Sequence, residues 1–140
     1  SNLHLSMSTK VIASALAAVA VLALGIFLFF CTPTNQIKSV VNQQFTAISV
    51  ADFEKAHTYL AKDKRAAMDK DDLRYYVAQR PLLQYNVKRT FSSIVIQDAT
   101  ATAYMDVEAV DGQKGAINVF LVKEEGKWMI STYDFTPDIK

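Results

Sequence analysis

The chain is poor in the residues that build most reactive centres. Cys31 is its only cysteine, so no disulfide forms within the chain. His4 and His57 are its only histidines, and with one cysteine they leave no convincing ligand set for a metal. Its four glycines include Gly112, Gly115 and Gly126 in turn-like surroundings, and none opens a phosphate-cradling loop. Charge of one sign is also missing. Residues 32–140 carry fourteen Lys or Arg and fourteen Asp or Glu, a balance without the long-range field that collects nucleic acid. No metal cluster or activated nucleophile can be assembled, so no catalytic residue and no cofactor is assigned.

What the chain does contain is a run from 11 to 31 without a charge, with Ser14 as its one ordinary polar side chain. As a helix these residues would extend roughly 31 Å, about the thickness of a bilayer's hydrocarbon core. Lipid requires an apolar surface all round, whereas a buried helix in a soluble domain seldom needs one. The run is longer than a signal-peptide core, and Phe29 and Phe30 stand where a cleavage site needs small residues. The expectation is therefore a retained transmembrane helix over 11–31, between a cytoplasmic tail of 1–10 and an extracytoplasmic domain of 32–140. Lys10 before the run, with Lys38 the first charge after it, orients the amino terminus inward in a bacterial inner or plasma membrane. Met7-Ser8-Thr9-Lys10 reads as a natural beginning. Cys31 reads as apolar filler at the membrane boundary, with an intermolecular disulfide as the alternative. Ala13 and Ala17 have the spacing of a close helix–helix contact.

Beyond Thr32-Pro33-Thr34-Asn35, which breaks one helix and can cap the next, Ile37, Val40, Val41, Phe45 and Ile48 recur at helical spacing. Phe53, Ala56, Tyr59 and Leu60 predict a second helical face, carried through 62–65. Asp69-Lys70-Asp71-Asp72 places carboxylates at the start of a third helix, with Leu73, Tyr76 and Val77 as its stripe. Pro81 suits the first turn of a short successor over 82–85. After Asn86 the period becomes two. Phe91, Ser93 and Val95 alternate against Ser92, Ile94 and Ile96. Ala101, Ala103, Met105, Val107 and Ala109 alternate against Thr100, Thr102, Tyr104, Asp106 and Glu108. Turns at 97–98, 111–115 and 124–127 separate these strands from a third through Ile117, Val119 and Leu121 and a fourth from Trp128. Helices first and sequential strands after them indicate an α+β fold, with no βαβ crossover.

That order of elements resembles the NTF2-like, or cystatin-like, α+β superfamily, and within it small bacterial membrane-anchored domains of uncharacterised function. The resemblance spans residues 35–135. It rests on Phe45 through Tyr59, Asp72-Leu73-Arg74-Tyr75-Tyr76-Val77, the long strand at 99–110 and Lys123-Glu124-Glu125-Gly126-Lys127-Trp128-Met129-Ile130. It implies about three helices against a curved four-stranded antiparallel sheet. Isomerases, dehydratases, binding modules and assembly parts share this fold, so the fold by itself transfers no activity.

His57 invites an acid–base role but lacks an evident orienting partner. Asp106 and Glu108 share one strand face, about 7 Å apart, an ordinary arrangement on a solvated sheet. The candidate ligand- or partner-binding residues are Tyr59, Tyr75, Tyr76, Tyr104, Asp106 and Trp128, since tyrosine buries a ring while leaving its hydroxyl to a partner. The leading reading is a non-enzymatic, membrane-anchored interaction or assembly module, working in a membrane-protein complex or homo-oligomer on the lipid bilayer, without nucleic acid. One alternative is a domain binding a small apolar ligand, with isomerase- or dehydratase-like chemistry. Another follows a resemblance to the inner-membrane component of type IV secretion, which also sets one anchor before an NTF2-like body.

Overall fold

The computed structural model describes residues 2–30 and 32–136, with side chains over 10–26 and 32–136. Residues up to Asn35 and residues from Gln36 onward form two compact units. The first holds one long helix, α1 (Asn2–Phe30). Among the described residues no helix is long and apolar enough to cross a membrane. Residues 27–31, the last part of the expected span, lie outside the described side chains, and so does Cys31.

The helix α2 (Pro33–Ser49), which belongs to the second unit from Gln36 on, starts with proline in its first turn, where a missing N–H costs no hydrogen bond. Thr32 Oγ1 accepts from the Asn35 N–H there, at 3.4 Å. Ile37, Val41, Gln44, Phe45 and Ile48 form its buried stripe. The helices α3 (Phe53–Thr58), α4 (Lys62–Ala67), α5 (Lys70–Ala78) and α6 (Pro81–Gln84) follow. Asp69 and Asp72 form a reciprocal capping box at the start of α5.

The expected second helix is broken at 59–61, so the three expected helical segments and their short successor become five helices. The physical reason lies in the last strand, β4 (Lys127–Thr136). The Ile130 N–H donates to the Tyr59 carbonyl at 2.8 Å, and the Ala61 N–H donates to the Ile130 carbonyl at 2.7 Å. Leu60 thereby makes a parallel bridge to Ile130. Occupying backbone groups on an otherwise open sheet edge outweighs continuing a short helix.

β1 (Asn86–Gln97), β2 (Thr100–Ala109), β3 (Lys114–Glu124) and β4 form one antiparallel sheet in chain order. In β2 the alternation holds throughout: Ala101, Ala103, Met105, Val107 and Ala109 are buried. Ala101 pairs with Leu121 and Ala103 with Val119, so small side chains alternate with larger ones across the inner face. Reduced bulk on β2 leaves room for Leu82 and Leu83 of α6, which packs against that strand.

Strict alternation fails in β1. Phe91 pairs with Met105 and Ser93 with Tyr104, leaving Ser92 as an extra residue. Phe91 and Ile94 therefore both pack against the core, although a simple period of two sets them on opposite faces. In β4, Ile130 pairs with Leu121 and Thr132 with Phe120, so Ser131 is the extra residue. This shift lets Trp128, Ile130 and Tyr133 all point inward. Bulges bend and twist a strand locally, and these two lie on the two edge strands of the curved sheet.

Candidate functional site

On the inner face of the sheet, Gln44, Tyr76 and Tyr133 meet where α2 and α5 pack over the strands. Gln44 falls on the apolar stripe of α2 and is fully buried. A buried amide needs partners at both ends. Its Nε2 donates to the Ala56 carbonyl at 3.2 Å, and its Oε1 accepts from the Tyr133 hydroxyl. The Tyr133 ring meets those of Phe45, Tyr76 and Phe135, with centroids 6.2, 6.1 and 6.4 Å away. Burial, reinforced by the neighbouring Tyr76 phenol, pushes the Tyr133 hydroxyl far above the usual tyrosine range. It is therefore held neutral, as a hydrogen-bond donor.

Arg80 covers this cluster. Its guanidinium carbon lies 3.6 Å from the Tyr76 ring centroid and 5.6 Å from that of Phe135. Its Nη1 donates to the Tyr76 carbonyl at 2.9 Å, which also ties down the end of α5. Burial raises the Tyr76 hydroxyl pKa, and Arg80 partly offsets that rise. Gln44, Tyr76, Arg80, Tyr133 and Phe135 include neither carboxylate nor imidazole, so the cluster offers hydrogen bonds and ring faces but no general base.

The six candidate residues are not brought together. Tyr76 belongs to the aromatic cluster, while Tyr75 beside it is exposed. Tyr59 donates its hydroxyl to Gln43 Oε1 at 2.8 Å across the α2–α3 surface. Trp128 is 3% exposed in the core, and its Nε1 is the buried side-chain polar atom without a partner among the described residues. Tyr104 and Asp106 are on the opposite face of the sheet. Gln44, Arg80, Tyr133 and Phe135 lie outside the six candidates. The sequence signal for Gln44 was available: it stands seven residues after Ile37 and four before Ile48, a polar residue on an apolar stripe.

Asp106 and Glu108 line an open hollow of about 450 Å³ on that outer face, with Lys88, Thr90 and Lys114. Glu108 pairs in register with Lys88 on one side and Lys114 on the other. Asp134 stands in register with Asn118, which pairs with Tyr104, on the same outer face. The carboxylates are thus away from the aromatic cluster. His57 Nε2–H donates to the Met68 carbonyl at 2.6 Å, tying α3 to the end of α4. Among the described residues no group of His, Cys, Asp and Glu is placed to hold a metal ion.

A third set of polar contacts joins α2 to β1. Asn86 is buried and donates to the Phe45 and Leu83 carbonyls at 3.1 and 2.7 Å. Its Oδ1 accepts from Arg89 Nη1. Arg89 also donates from Nε to Asn42 Oδ1 and from Nη2 to Thr46 Oγ1, each at 3.1 Å. Partial burial lowers the Arg89 pKa below its usual value.

Comparison with solved structures finds the same fold in several bacterial proteins. An NTF2-like protein of unknown function from Shewanella oneidensis MR-1 superposes with a TM-score of 0.54 at 16% identity, over 74% of this chain and 98% of that one. One from Shewanella baltica OS155 gives 0.52 at 17%, covering 75% and 94%. A protein with a cystatin-like fold from Nostoc punctiforme PCC 73102 gives 0.51 at 17%, covering 74% and 91%. No curated protein matches the sequence. Residues 32–137 match the family described as a domain of unknown function, DUF4864, and the chain belongs to that family.

Proposed function

We propose that this protein is a non-enzymatic, membrane-anchored interaction module whose NTF2-like domain presents a surface to a partner protein. The outer face of the sheet is the observation that supports this reading, while on the inner face Gln44, Tyr133, Tyr76 and Arg80 pack on one another. The outer face supplies a contact surface. Val95, Tyr104, Phe120, Val122 and Met129 stand there with partial or full exposure, and no described element of this unit covers them. The uncharged run at 11–31 supports the anchor, and Lys10 the orientation with residues 32–140 outside the cytoplasm.

Two measurements test this. In intact cells, a cysteine at Asp111 in a Cys31→Ser background should react with an impermeant maleimide once the outer barrier is opened. Labelling only after inner-membrane disruption would reverse the topology. Photocrosslinking from position 104 or 120 in native membranes should capture a stoichiometric protein partner, or a second copy. Recovery as an uncrosslinked monomer from both positions would count against the module.

A further inference from the structure

The two edges of the sheet are treated differently. Along β4, the segment at 59–61 occupies the backbone groups of Ile130. Along β1, the neighbour on one side is β2, and among the described residues no strand or bridge lies on the other. Natural proteins blunt such edges with charge, proline, short length or a bulge. β1 has twelve residues and no proline, and its two charges, Lys88 and Arg89, stand near its start. From 90 to 97 it carries none. Its bulge at Ser92 leaves a regular stretch over 93–97, with Ile94, Val95 and Ile96 as three β-branched residues in a row. Val95 is 46% exposed and Ile96 38%.

The hairpin fixes which backbone groups of that stretch are free. Asp98 and Ala99 form a two-residue turn, with Gln97 paired to Thr100. The residues closing such a turn exchange hydrogen bonds, and bonded pairs then alternate with non-bonded ones along an antiparallel ladder. Gln97 and Val95 therefore bond to β2, while the N–H and C=O groups of Ile94 and Ile96 point to the open edge.

We propose that this edge pairs with the same edge of a second copy of the chain, antiparallel about a two-fold axis at Val95. Ile94 of each copy exchanges two hydrogen bonds with Ile96 of the other, and Ser93 of each faces Gln97 of the other. Ile94 and Ile96 stand opposite the inward-facing Ala103 and Ala101 of β2, so both belong to the inner face, and every pair across the axis matches in face. Centring the axis on Ile94 would bring the Ser92 bulge into the new ladder, and centring it on Ile96 would bring in the turn at Asp98. Charge favours the same register. The two Arg89 residues lie on opposite sides of the axis, about 34 Å apart along the strands, whereas Asp98 of one copy and Arg89 of the other share a side, about 7 Å apart. This contact is separate from the outer-face surface around Tyr104 and Phe120.

The test uses the full chain in mild detergent. Amide exchange is read at two protein concentrations about a hundredfold apart. The Ile94 and Ile96 amides should slow about tenfold at the higher one, while Val95, already bonded to β2, should not change. Val95→Lys, which sets like charges opposite each other at the axis, should abolish that slowing. In a Cys31→Ser background, Val95→Cys should form an intermolecular disulfide about tenfold faster than Thr90→Cys. Facing residues of a non-bonded pair have Cα atoms about 4.5 Å apart, within disulfide reach, whereas the two copies of position 90 would stand about 27 Å apart. Equal rates for the two cysteines, or exchange at Ile94 and Ile96 that ignores concentration, overturns the proposal. A photocrosslink from position 95 to a different protein in native membranes, without the self-disulfide, overturns the second copy as the occupant of this edge.

Discussion

The Tyr133 hydroxyl donates to the side-chain carbonyl of Gln44, joining residues 89 apart in sequence across the middle of the domain. Each group satisfies the other in the buried interior, where an unpaired amide or hydroxyl would be costly. Phe45, Tyr76 and Phe135 surround the tyrosine ring, and Arg80 lies over the outer side of that cluster.

Tyr133→Phe should destabilise the domain by about 1–3 kcal/mol, since it leaves the Gln44 carbonyl buried without its donor. Gln44→Leu should carry a similar cost, and the double variant should cost less than the two singles added. Urea denaturation of the four proteins checks the cycle. Simple additivity would show that the bond contributes nothing.

The same pair sets an alkaline limb. The Tyr133 pKa is raised in the folded state above its ordinary value of 10.0, so the unfolded chain releases its proton first as pH rises. The stability from the buried phenol is complete below pH 10 and declines as pH climbs above it. Tyr76, raised in the same direction, adds a smaller decline. Denaturation midpoints between pH 9 and pH 11, compared for the native chain and Tyr133→Phe, should show a shallower fall in the variant.

Trp128 is the chain's only tryptophan, so its emission reports one environment. It should be blue-shifted in the folded domain and move to the red on unfolding. Trp128→Ala should cost about 3–5 kcal/mol through the cavity it leaves. Trp128→Phe should cost clearly less, because it removes a smaller volume from the core. Equal losses in the two variants would show that the cavity left behind does not set the cost.

Asp69 provides an acid limb at the surface. Its bond from the Asp72 N–H is the main cause that lowers its pKa below 3.8. A lowered folded pKa means that the cap is fully effective above about pH 4 and is lost as pH falls through the folded value. Asp69→Ala should speed amide exchange in the first turn of α5 at neutral pH. It should also flatten the pH dependence of that exchange below pH 4, as hydrogen–deuterium exchange would reveal.

Local pattern in the sequence determined much of this architecture. The apolar spacing of Ile37, Val41, Phe45 and Ile48 specifies α2, the capping carboxylates specify the start of α5, and Pro81 the start of α6. The alternation from Ala101 to Ala109 specifies the faces of β2, and Glu125 and Gly126, both at positive φ, close the last hairpin. In each case the cause lies within a few residues of its effect: a side-chain period, a cap or a backbone preference. Tertiary structure decided the features whose causes lie far apart in sequence. The break at 59–61 depends on the open edge of β4, a strand whose hydrogen-bonding need is invisible from the helix. The extra residues Ser92 and Ser131 reset which side chains face inward, and they answer to the partner strands as well as to their own. The cluster around Tyr133 and the seam around Arg89 each require α2 to meet a strand more than forty residues away. Gln44 marks the limit of local reading. Its place on an apolar stripe shows that a buried partner must exist, but only the folded sheet identifies that partner as Tyr133, because desolvation and hydrogen bonding are settled by neighbours in space.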